Sequence, residues 1–187
     1  MSVRDLIQRE TGLDLSDAAV DRAVQQRVAL CGAAGPAAYL ADMTQAEFKA
    51  LTELLVVPES WMFRDADAFA AATAFVQRRV AQAPGRVVRI LSVPCAGGEE
   101  PYSMAMALMD AGVPASAYTI DALDLSEVAL ERARQGRYTR NAFRGQKLAF
   151  RDRYFTRDGN HYQIRDDLRA IVRFSQGNLL TASPAEM

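Results

Sequence analysis

Two adjacent glutamates follow a glycine turn in the segment SVPCAGGEEPYSMAMALM, which spans residues 92–109. Gly97 and Gly98 permit a tight turn after an apolar run, where many nucleotide-binding proteins receive a phosphate. Glu99 and Glu100 would repel a phosphate, and the chain has neither a GxGxxG nor a GxxxxGK loop. The two carboxylates therefore favour a nucleotide-like ligand that lacks phosphates and carries positive charge.

An acidic residue also ends a later apolar run. Asp124 follows the stretch AYTIDAL, and a carboxylate at the end of a second parallel strand can accept hydrogen bonds from both ribose hydroxyls. S-adenosylmethionine, which carries an ammonium group and a sulfonium but no phosphate, is a ligand of this type. The two glutamates are equally typical of the acidic first turn of a helix that Pro101 would begin, so this structural interpretation stays open.

The order of elements predicts how these residues are positioned. Short β-branched runs at 86–93 and 117–125 alternate with helical patterns at 101–111 and 126–134, and 170–180 offers a third strand. Strand, helix, strand, helix is the order of a parallel sheet with crossover helices. Because ligands of such sheets bind at the carboxyl ends of the strands, the glycine turn and the acid of the second strand should lie together.

The N-terminal region has a different pattern. Residues 1–57 contain no convincing strand, and valines at every fourth position over 20–28 mark one face of a helix. Thr44 and Glu47 fit a capping box, with the glutamate side chain reaching back to the start of the helix. A further amphipathic helix ends at the APG of 83–85. These signals predict a small helical bundle and a helix that links it to the sheet.

Composition excludes several classes of protein. The chain has 187 residues, of which 50% are hydrophobic and 24% charged, and its net charge of −1 selects no partner. Cys31, Cys95 and the single His161 provide neither a disulfide scaffold nor a metal cluster, so we expect reduced thiols, a cytoplasmic protein and no metal. No stretch approaches the ~18 apolar residues of a membrane span, which argues against membrane insertion.

Five segments, in order, resemble one family. CAGGEEPYSMAMAL (95–108) resembles the C-S-T-G-E-E-P-Y-S signature of the CheR-type chemoreceptor glutamate O-methyltransferases. SWMFRD (60–65) resembles the family's T-x-F-F-R segment, and DLSEVALERARQGRY (124–138) resembles its D-I-x-x-x-x-L-x-x-A-x-x-G-x-Y segment. RYF (153–155) and FSQGNLL (174–180) match further pieces. The chain is identified by this resemblance as a member of the family.

The resemblance implies an α/β fold in two domains. It assigns 1–62 to an N-terminal helical bundle, 63–85 to a linker helix, and 86–187 to the N-terminal half of a class I methyltransferase domain with a Rossmann-like parallel sheet. A small antiparallel β-subdomain is expected at about 150–170, where the turn Asp158-Gly159 predicts a hairpin. The family's cofactor is S-adenosylmethionine, and its product is S-adenosylhomocysteine.

The matched motifs also carry expected roles. Arg64 is expected to be catalytic through positioning, with a plain salt bridge as the alternative, and Asn178 is either a contact to the adenine or a turn residue. Gly97 stands where the family usually has threonine, which removes a possible hydroxyl donor from the loop. No metal ligand is implied. The expected cofactor-binding residues are Ser60, Arg64, Glu99, Glu100, Asp124, Asn178 and Leu179.

The function implied is methyl transfer from S-adenosylmethionine to glutamate side chains of a chemoreceptor-like protein. The partner would be the cytoplasmic domain of a methyl-accepting receptor. A catalytically inactive binding module of the same fold remains an alternative. A nucleic-acid methyltransferase is a second alternative, which the arginine- and aromatic-rich stretch 134–173 suggests. The absence of an Asn/Asp-Pro-Pro-aromatic motif argues against that second alternative and against a nucleic-acid partner.

Charge is distributed unevenly along the chain. Residues 1–60 have a net charge of −4, whereas 134–173, with ten arginines and Lys147 against four aspartates, has +7. The basic stretch is either a solvated arginine face or a docking surface for an acidic partner.

The family continues beyond the third parallel strand, where this chain stops at TASPAEM. We therefore expect a C-terminally truncated fragment whose incomplete sheet leaves the strand at 86–93 as an open apolar edge. Such an edge is a template for pairing with another chain. The fragment is expected to self-associate or to be less stable, to bind the cofactor weakly, and to be inactive.

Overall fold

The computed structural model describes residues 2–56, 59–144 and 148–181. The chain divides into two compact units, Met1–Val57 and Pro58–Met187. The sequence had assigned residues up to 62 to the helical domain, whereas the structure groups 59–62 with the second unit. A backbone hydrogen bond links this segment to the rest of that unit, since Met62 N donates to Ala142 O at 2.9 Å.

The first unit is a bundle of helices: α1 (Val3–Thr11), α2 (Asp17–Cys31), α3 (Pro36–Ala41) and α4 (Gln45–Leu55). Their apolar faces meet in one core. Its buried members are Ile7, Val20, Ala23, Val24, Tyr39, Leu51 and Leu55. The fourfold spacing of valines in α2 thus points into the interior, as the sequence predicted.

The start of α4 corrects one detail of the sequence analysis. Thr44 caps the helix, since its hydroxyl accepts a hydrogen bond from Glu47 N at 3.2 Å. The Glu47 carboxylate, however, bonds to Arg27 and Tyr39, at 2.6 Å from Arg27 Nε and 2.9 Å from the Tyr39 hydroxyl. A charged partner on a neighbouring helix therefore takes the side chain that the capping-box interpretation assigned to the helix start.

The second unit begins with α5 (Ala66–Gln82), which falls in the predicted linker, and continues with alternating strands and helices. These are β1 (Val88–Ser92), α6 (Glu99–Asp110), β2 (Tyr118–Asp124), α7 (Glu127–Gln135), β3 (Arg137–Thr139), α8 (Ala149–Tyr154), β4 (Phe155–Asp158), β5 (His161–Ile164), α9 (Asp166–Arg169) and β6 (Val172–Gln176). Within the described ranges, no helix combines the length and apolar character needed to cross a membrane.

The strands β1, β2 and β6 form a parallel sheet in that order. Ile120 of β2 pairs with Ile90 of β1 and Val172 of β6, and β2 is the most buried of the three strands. The predicted parallel sheet with crossover helices is confirmed. Among the described strands β1 lies at one edge, with Leu91 40% exposed.

A second, antiparallel sheet has the order β3-β5-β4. The predicted hairpin is present, because β4 and β5 pair across the turn at Gly159, whose φ of +57° favours glycine. Strand β3 was not predicted from the sequence, and with it the antiparallel sheet begins at Arg137, before the expected 150–170 region. A three-residue strand is too short to produce a recognisable alternation of polar and apolar residues.

Candidate functional site

The glycine turn lies between β1 and α6 and is fastened to the end of β2. Cys95 N donates to Leu123 O at 2.9 Å, and Gly98 N closes the turn on Cys95 O at 2.9 Å. Ala96 has a left-handed φ of +47°, which is uncommon for a residue with a side chain. The carboxyl ends of two neighbouring parallel strands therefore meet at this loop, as the sequence predicted.

Asp124, the last residue of β2, holds this conformation in place. Its side chain is almost fully buried and accepts hydrogen bonds from Ala96 N at 2.7 Å and from Ser126 N at 2.9 Å. The bond to Ala96 stabilises the left-handed residue. Each carboxylate oxygen can accept a second hydrogen bond, so these contacts leave capacity for two ligand hydroxyls.

Glu99 is the first residue of α6 and is buried, with a relative exposure of 3%. Its Oε1 lies 3.2 Å from Arg132 Nη2, whereas its Oε2 is buried without a hydrogen-bond partner among the described residues. Burial raises the pKa of Glu99 above its ordinary value, and the charge of Arg132 opposes that shift. A donor that reached Oε2 would satisfy an otherwise orphaned acceptor.

Glu100 is in a different environment from its neighbour. It is exposed and accepts a hydrogen bond from the Ser92 hydroxyl at 2.7 Å. Gly98, with φ of +87°, caps the helix, so that Glu99 and Glu100 form its first turn and Pro101 is its third residue, not its first. Both glutamates therefore also serve the helix N-terminus, which was the structural alternative.

The segment that contains Ser60 and Arg64 contacts the start of α6. Phe63 N donates to the Ser103 hydroxyl at 2.9 Å, and that hydroxyl donates to Glu99 O at 2.6 Å. Phe63 also has a left-handed φ of +53°, a costly conformation for a bulky residue. The Ser103 side chain thus links this segment to the start of the acidic helix turn. Ser60 in it is partly buried.

The Arg64 side chain points elsewhere in this structure. Its guanidinium carbon lies 4.6 Å from the centroid of the Trp61 ring, and its Nη1 donates to Glu59 O at 3.3 Å. The structure therefore brings the backbone of this segment to the site and leaves the guanidinium stacked on an aromatic ring. Its expected role at the cofactor stays a prediction.

Asn178 and Leu179 follow β6 and approach the same edge of the sheet. Gly177 N donates to Asp124 O at 3.0 Å, which ties this turn to the end of β2. Asn178 Oδ1 accepts a hydrogen bond from Leu180 N at 2.9 Å, which is the behaviour of a turn residue. Leu179 is 55% exposed, so its side chain is free to cover a ligand.

Two further residues contact the loop, and the sequence analysis did not identify them. Tyr138 donates its hydroxyl to Gly97 O at 2.7 Å, and burial raises its pKa well above the ordinary value, so it remains a donor. Arg132 of α7 pairs with Glu99. Both contacts depend on which side of α7 and β3 faces the loop. The one hint in the sequence was Gly97, whose lack of a side chain leaves room for another group against the loop.

The chemistry of this edge is acidic and non-nucleophilic. Burial, followed by the nearby charge of Asp124, raises the pKa of Cys95 to about 12, so its thiol stays protonated. Asp124 and Glu99 supply carboxylate acceptors, and Glu99 retains an unpartnered oxygen. This set fits a ligand that presents hydroxyl donors and an ammonium group, and it does not fit a phosphate.

Comparisons with known proteins agree with that chemistry. Residues 59–187 match the family model described as "CheR methyltransferase, SAM binding domain". The "Probable biofilm formation methyltransferase WspC" of Pseudomonas aeruginosa is 43% identical over 182 residues, covering 94% of this chain and 43% of the relative. Its Pseudomonas putida counterpart of the same name is 39% identical over 180 residues, covering 93% and 42%.

A more distant relative has a different name. "Chemotaxis protein methyltransferase 2" of Vibrio cholerae is 29% identical over 187 residues, covering 94% of this chain and 65% of the relative. The chain thus spans less than half the length of the two Pseudomonas relatives. The matched family model includes the loop, Asp124 and the turn after β6, and it assigns S-adenosylmethionine as the cofactor of the domain. Because this model matches well over half of its residues, the chain belongs to the CheR methyltransferase family.

Proposed function

We propose that the protein containing this chain transfers methyl groups from S-adenosylmethionine to glutamate side chains of a chemoreceptor-like protein. One observation carries the proposal: the carboxylates of Glu99 and Asp124 lie at the loop between β1 and α6, where it is hydrogen-bonded to the end of β2, within a domain of the CheR family. When bound, the cofactor supplies an electrophilic methyl group on its sulfonium.

In this proposal each part of the site holds one part of the cofactor. Asp124 accepts from the ribose hydroxyls, while it keeps the two backbone bonds that shape the loop. Glu99, through its unpartnered oxygen, accepts from the ammonium group, and Glu100 adds negative charge at the rim. The methionine part lies near Ser60 and Arg64. The adenine lies beside Asn178 and Leu179.

The acceptor needs no general base. A solvated glutamate has a pKa of about 4.3, so near neutral pH it is already ionised and one of its oxygens is the nucleophile. The chain's contribution is to bind both partners in line and to exclude water, which can contribute roughly 7 kcal/mol or more. Arg64 acts best as a positioning group, because a tight pair with the acceptor carboxylate would reduce the nucleophilicity of that oxygen.

The names of the relatives support a signalling protein as the partner. Relatives described as chemotaxis protein methyltransferases include one of Vibrio cholerae and one of Salmonella typhimurium, the latter 32% identical over 145 residues. The two Pseudomonas relatives are described as methyltransferases of biofilm formation. We infer that the partner is the cytoplasmic domain of a methyl-accepting receptor and that the reaction takes place in the cytoplasm.

A radiolabel experiment tests the substrate class. The full-length natural protein is incubated with methyl-labelled S-adenosylmethionine and a purified receptor cytoplasmic domain, and the labelled receptor is then exposed to alkali. Methyl esters of glutamate release volatile methanol in alkali, whereas methyl groups on nitrogen do not. Alkali-labile label that disappears when the acceptor glutamates are replaced by alanine supports the proposal. Alkali-stable label, or label that follows added RNA, contradicts it.

We also propose that residues 1–187 alone do not transfer methyl groups and that they self-associate through β1. Val87 and Leu91, 46% and 40% exposed, lie at or next to this edge of the parallel sheet, where a second copy can add a strand. Sedimentation of the 187-residue chain should show a concentration-dependent dimer. A monomer with turnover equal to that of the full-length protein would contradict both statements.

A further inference from the structure

Arg132 on α7 reaches across to the acidic loop. Its Nη2 lies 3.2 Å from Glu99 Oε1, and its side chain is 43% exposed while that of Glu99 is 4% exposed. The arginine therefore connects a buried carboxylate with the surface of the loop. Nothing in the family motifs assigned a role to this residue.

The guanidinium lies directly against Gly97. A Cβ atom on Gly97 would be only 2.1 Å from Arg132 Nη2 and 2.6 Å from its Cζ, which is far inside van der Waals contact. The φ of Gly97 is not in the left-handed region, so the backbone dihedral alone does not call for glycine. A side chain at position 97 would therefore require the Arg132 guanidinium to move.

Glu99 depends on this arrangement for its charge. Burial raises the pKa of its carboxyl and Asp124 adds to that rise, whereas a hydrogen bond from its own backbone, the charge of Arg132 and the backbone of Gly97 lower it. Cys95 and Tyr138 also interact with it, and burial raises the pKa of both, which keeps them neutral. Among these groups of the described structure, Arg132 is the one positive charge.

We propose that Arg132 is a positioning residue of the cofactor site, whose guanidinium, admitted by the bare Gly97, orients the Glu99 carboxylate toward the ammonium group of the ligand. The inference rests on the proposed contact between Glu99 and the cofactor. Removing the guanidinium leaves a buried carboxylate beside Asp124 without a counter-charge. Glu99 then takes up a proton at a higher pH and no longer attracts a cationic ligand.

Binding of S-adenosylhomocysteine, which retains the ammonium group, measures this effect without turnover. Calorimetric titrations of the full-length protein are compared over a range from about pH 6 to about pH 8. In Arg132→Ala we expect affinity to fall roughly tenfold near neutral pH, about 1.4 kcal/mol, and to fall further as the pH decreases. Arg132→Lys keeps the positive charge and should restore most of the affinity and a flatter pH profile.

Gly97→Ala gives an independent variant that leaves the arginine in the sequence. Its methyl group displaces the guanidinium, so the variant should reproduce the steeper pH profile of Arg132→Ala. Combining the two substitutions should add little to either one, because both break the same contact. Additive losses in the double variant would contradict the proposal.

Two controls separate the possible failures. Arg134→Ala, on the same helix but paired with the half-exposed Glu127, should leave both affinity and pH profile unchanged. Glu99→Gln should weaken binding whatever Arg132 does. Normal binding by Glu99→Gln would overturn the assignment of Glu99 itself. Weak binding by Glu99→Gln together with a wild-type pH profile in folded Arg132→Ala would overturn only the role of Arg132.

Discussion

Each unit of this chain joins two of its helices by a glutamate–arginine pair, and the two pairs are built in opposite ways. In the first unit Arg27 Nε and Nη2 bind both oxygens of Glu47 at 2.6 and 2.8 Å, and the Tyr39 hydroxyl donates to Oε1 at 2.9 Å. In the second unit Arg132 contacts a single oxygen of Glu99, and the other oxygen has no partner among the described residues.

The electrostatics follow this geometry. Hydrogen bonds from Arg27 lower the pKa of Glu47 to about 2, whereas burial raises the pKa of Glu99. A carboxylate whose two oxygens both accept hydrogen bonds from the chain stabilises the fold. A buried carboxylate with one oxygen that lacks a hydrogen-bond partner costs stability and is better placed to bind a ligand. The same two residue types are thus structural in one unit and, we infer, functional in the other.

The largest effect on ligand binding should follow from Asp124→Ala. The substitution removes the proposed ribose contact and the bond that holds Ala96 in its left-handed conformation. We expect affinity for S-adenosylhomocysteine, measured by calorimetry on the full-length protein, to fall by about 1.5–3 kcal/mol. Glu47→Gln, which neutralises a carboxylate in the first unit, should leave that affinity unchanged. A folded Asp124→Ala protein with normal affinity would remove Asp124 from the site.

Loss of the charged pair in the first unit should lower the stability of that unit. Glu47→Gln leaves Arg27 without a charged partner, and we expect the first unit to lose about 1–2 kcal/mol of unfolding free energy near neutral pH. Since the folded pKa of Glu47 is about 2 against an ordinary value of 4.5, this stabilisation is present above about pH 4.5 and disappears as the pH falls toward about 2.

Urea unfolding of wild type and Glu47→Gln at several pH values checks this statement. The two curves should converge in acid. Asp21→Asn, at an exposed position of α2 in the same unit, gives a comparison for a general loss of surface charge. A difference between wild type and Glu47→Gln that persisted in strong acid would show that packing, not ionisation, accounts for the loss.

The contrast also explains which features could be read from the sequence. The loop, Glu99 and Asp124 were predictable because strand ends, glycine turns and acidic residues are local signals, and parallel strands bring their carboxyl ends together. The start of α6 was predicted two residues late, since a left-handed Gly98 caps it before Pro101. Local rules were sufficient where neighbours in sequence are neighbours in space.

Partners from other elements were not predictable. Arg132 and Tyr138 reach the loop from α7 and β3, and nothing in their own segments specifies that face. Thr44 caps the helix next to Glu47, as predicted. The Glu47 carboxylate nevertheless pairs with Arg27, twenty positions away in the sequence. The strength of a charged, two-point contact overrides the local preference, and only the packed structure reveals it.

A smaller effect should appear on stability in the second unit. Glu99→Gln removes a buried negative charge while its amide oxygen can still accept from Arg132. We expect the unfolding free energy near neutral pH to rise by about 0.5–1 kcal/mol, opposite in sign to Glu47→Gln. Because the folded pKa of Glu99 is raised, wild-type stability is lost as pH rises through that pKa, so the gain should shrink in acid. Destabilisation of the unliganded protein by Glu99→Gln would make this second pair structural as well.

The smallest effect should come from the basic stretch of the second unit, which contrasts with the acidic first unit. Arg144 pairs with Glu59 at 2.8 Å and lies over Trp61, and Arg151 pairs with Asp152 at 2.9 Å. These ion pairs within the chain reduce the field that an acidic receptor would meet. Lys147 lies outside the described residues.

Reversing three arginines to glutamate, namely Arg140, Arg144 and Arg151, therefore tests docking against a solvated face. If the stretch meets an acidic receptor domain, the triple variant should associate roughly two- to threefold more slowly, with a flatter dependence on salt. The matched control changes the net charge equally at exposed positions outside the stretch, namely Arg78, Arg79 and Arg86.

Stopped-flow association at several salt concentrations distinguishes the outcomes. Equal slowing in both variants would reflect net charge alone, and no slowing in either would identify a solvated arginine face. Slowing confined to the first variant would identify a docking surface whose strength is limited by the chain's own carboxylates.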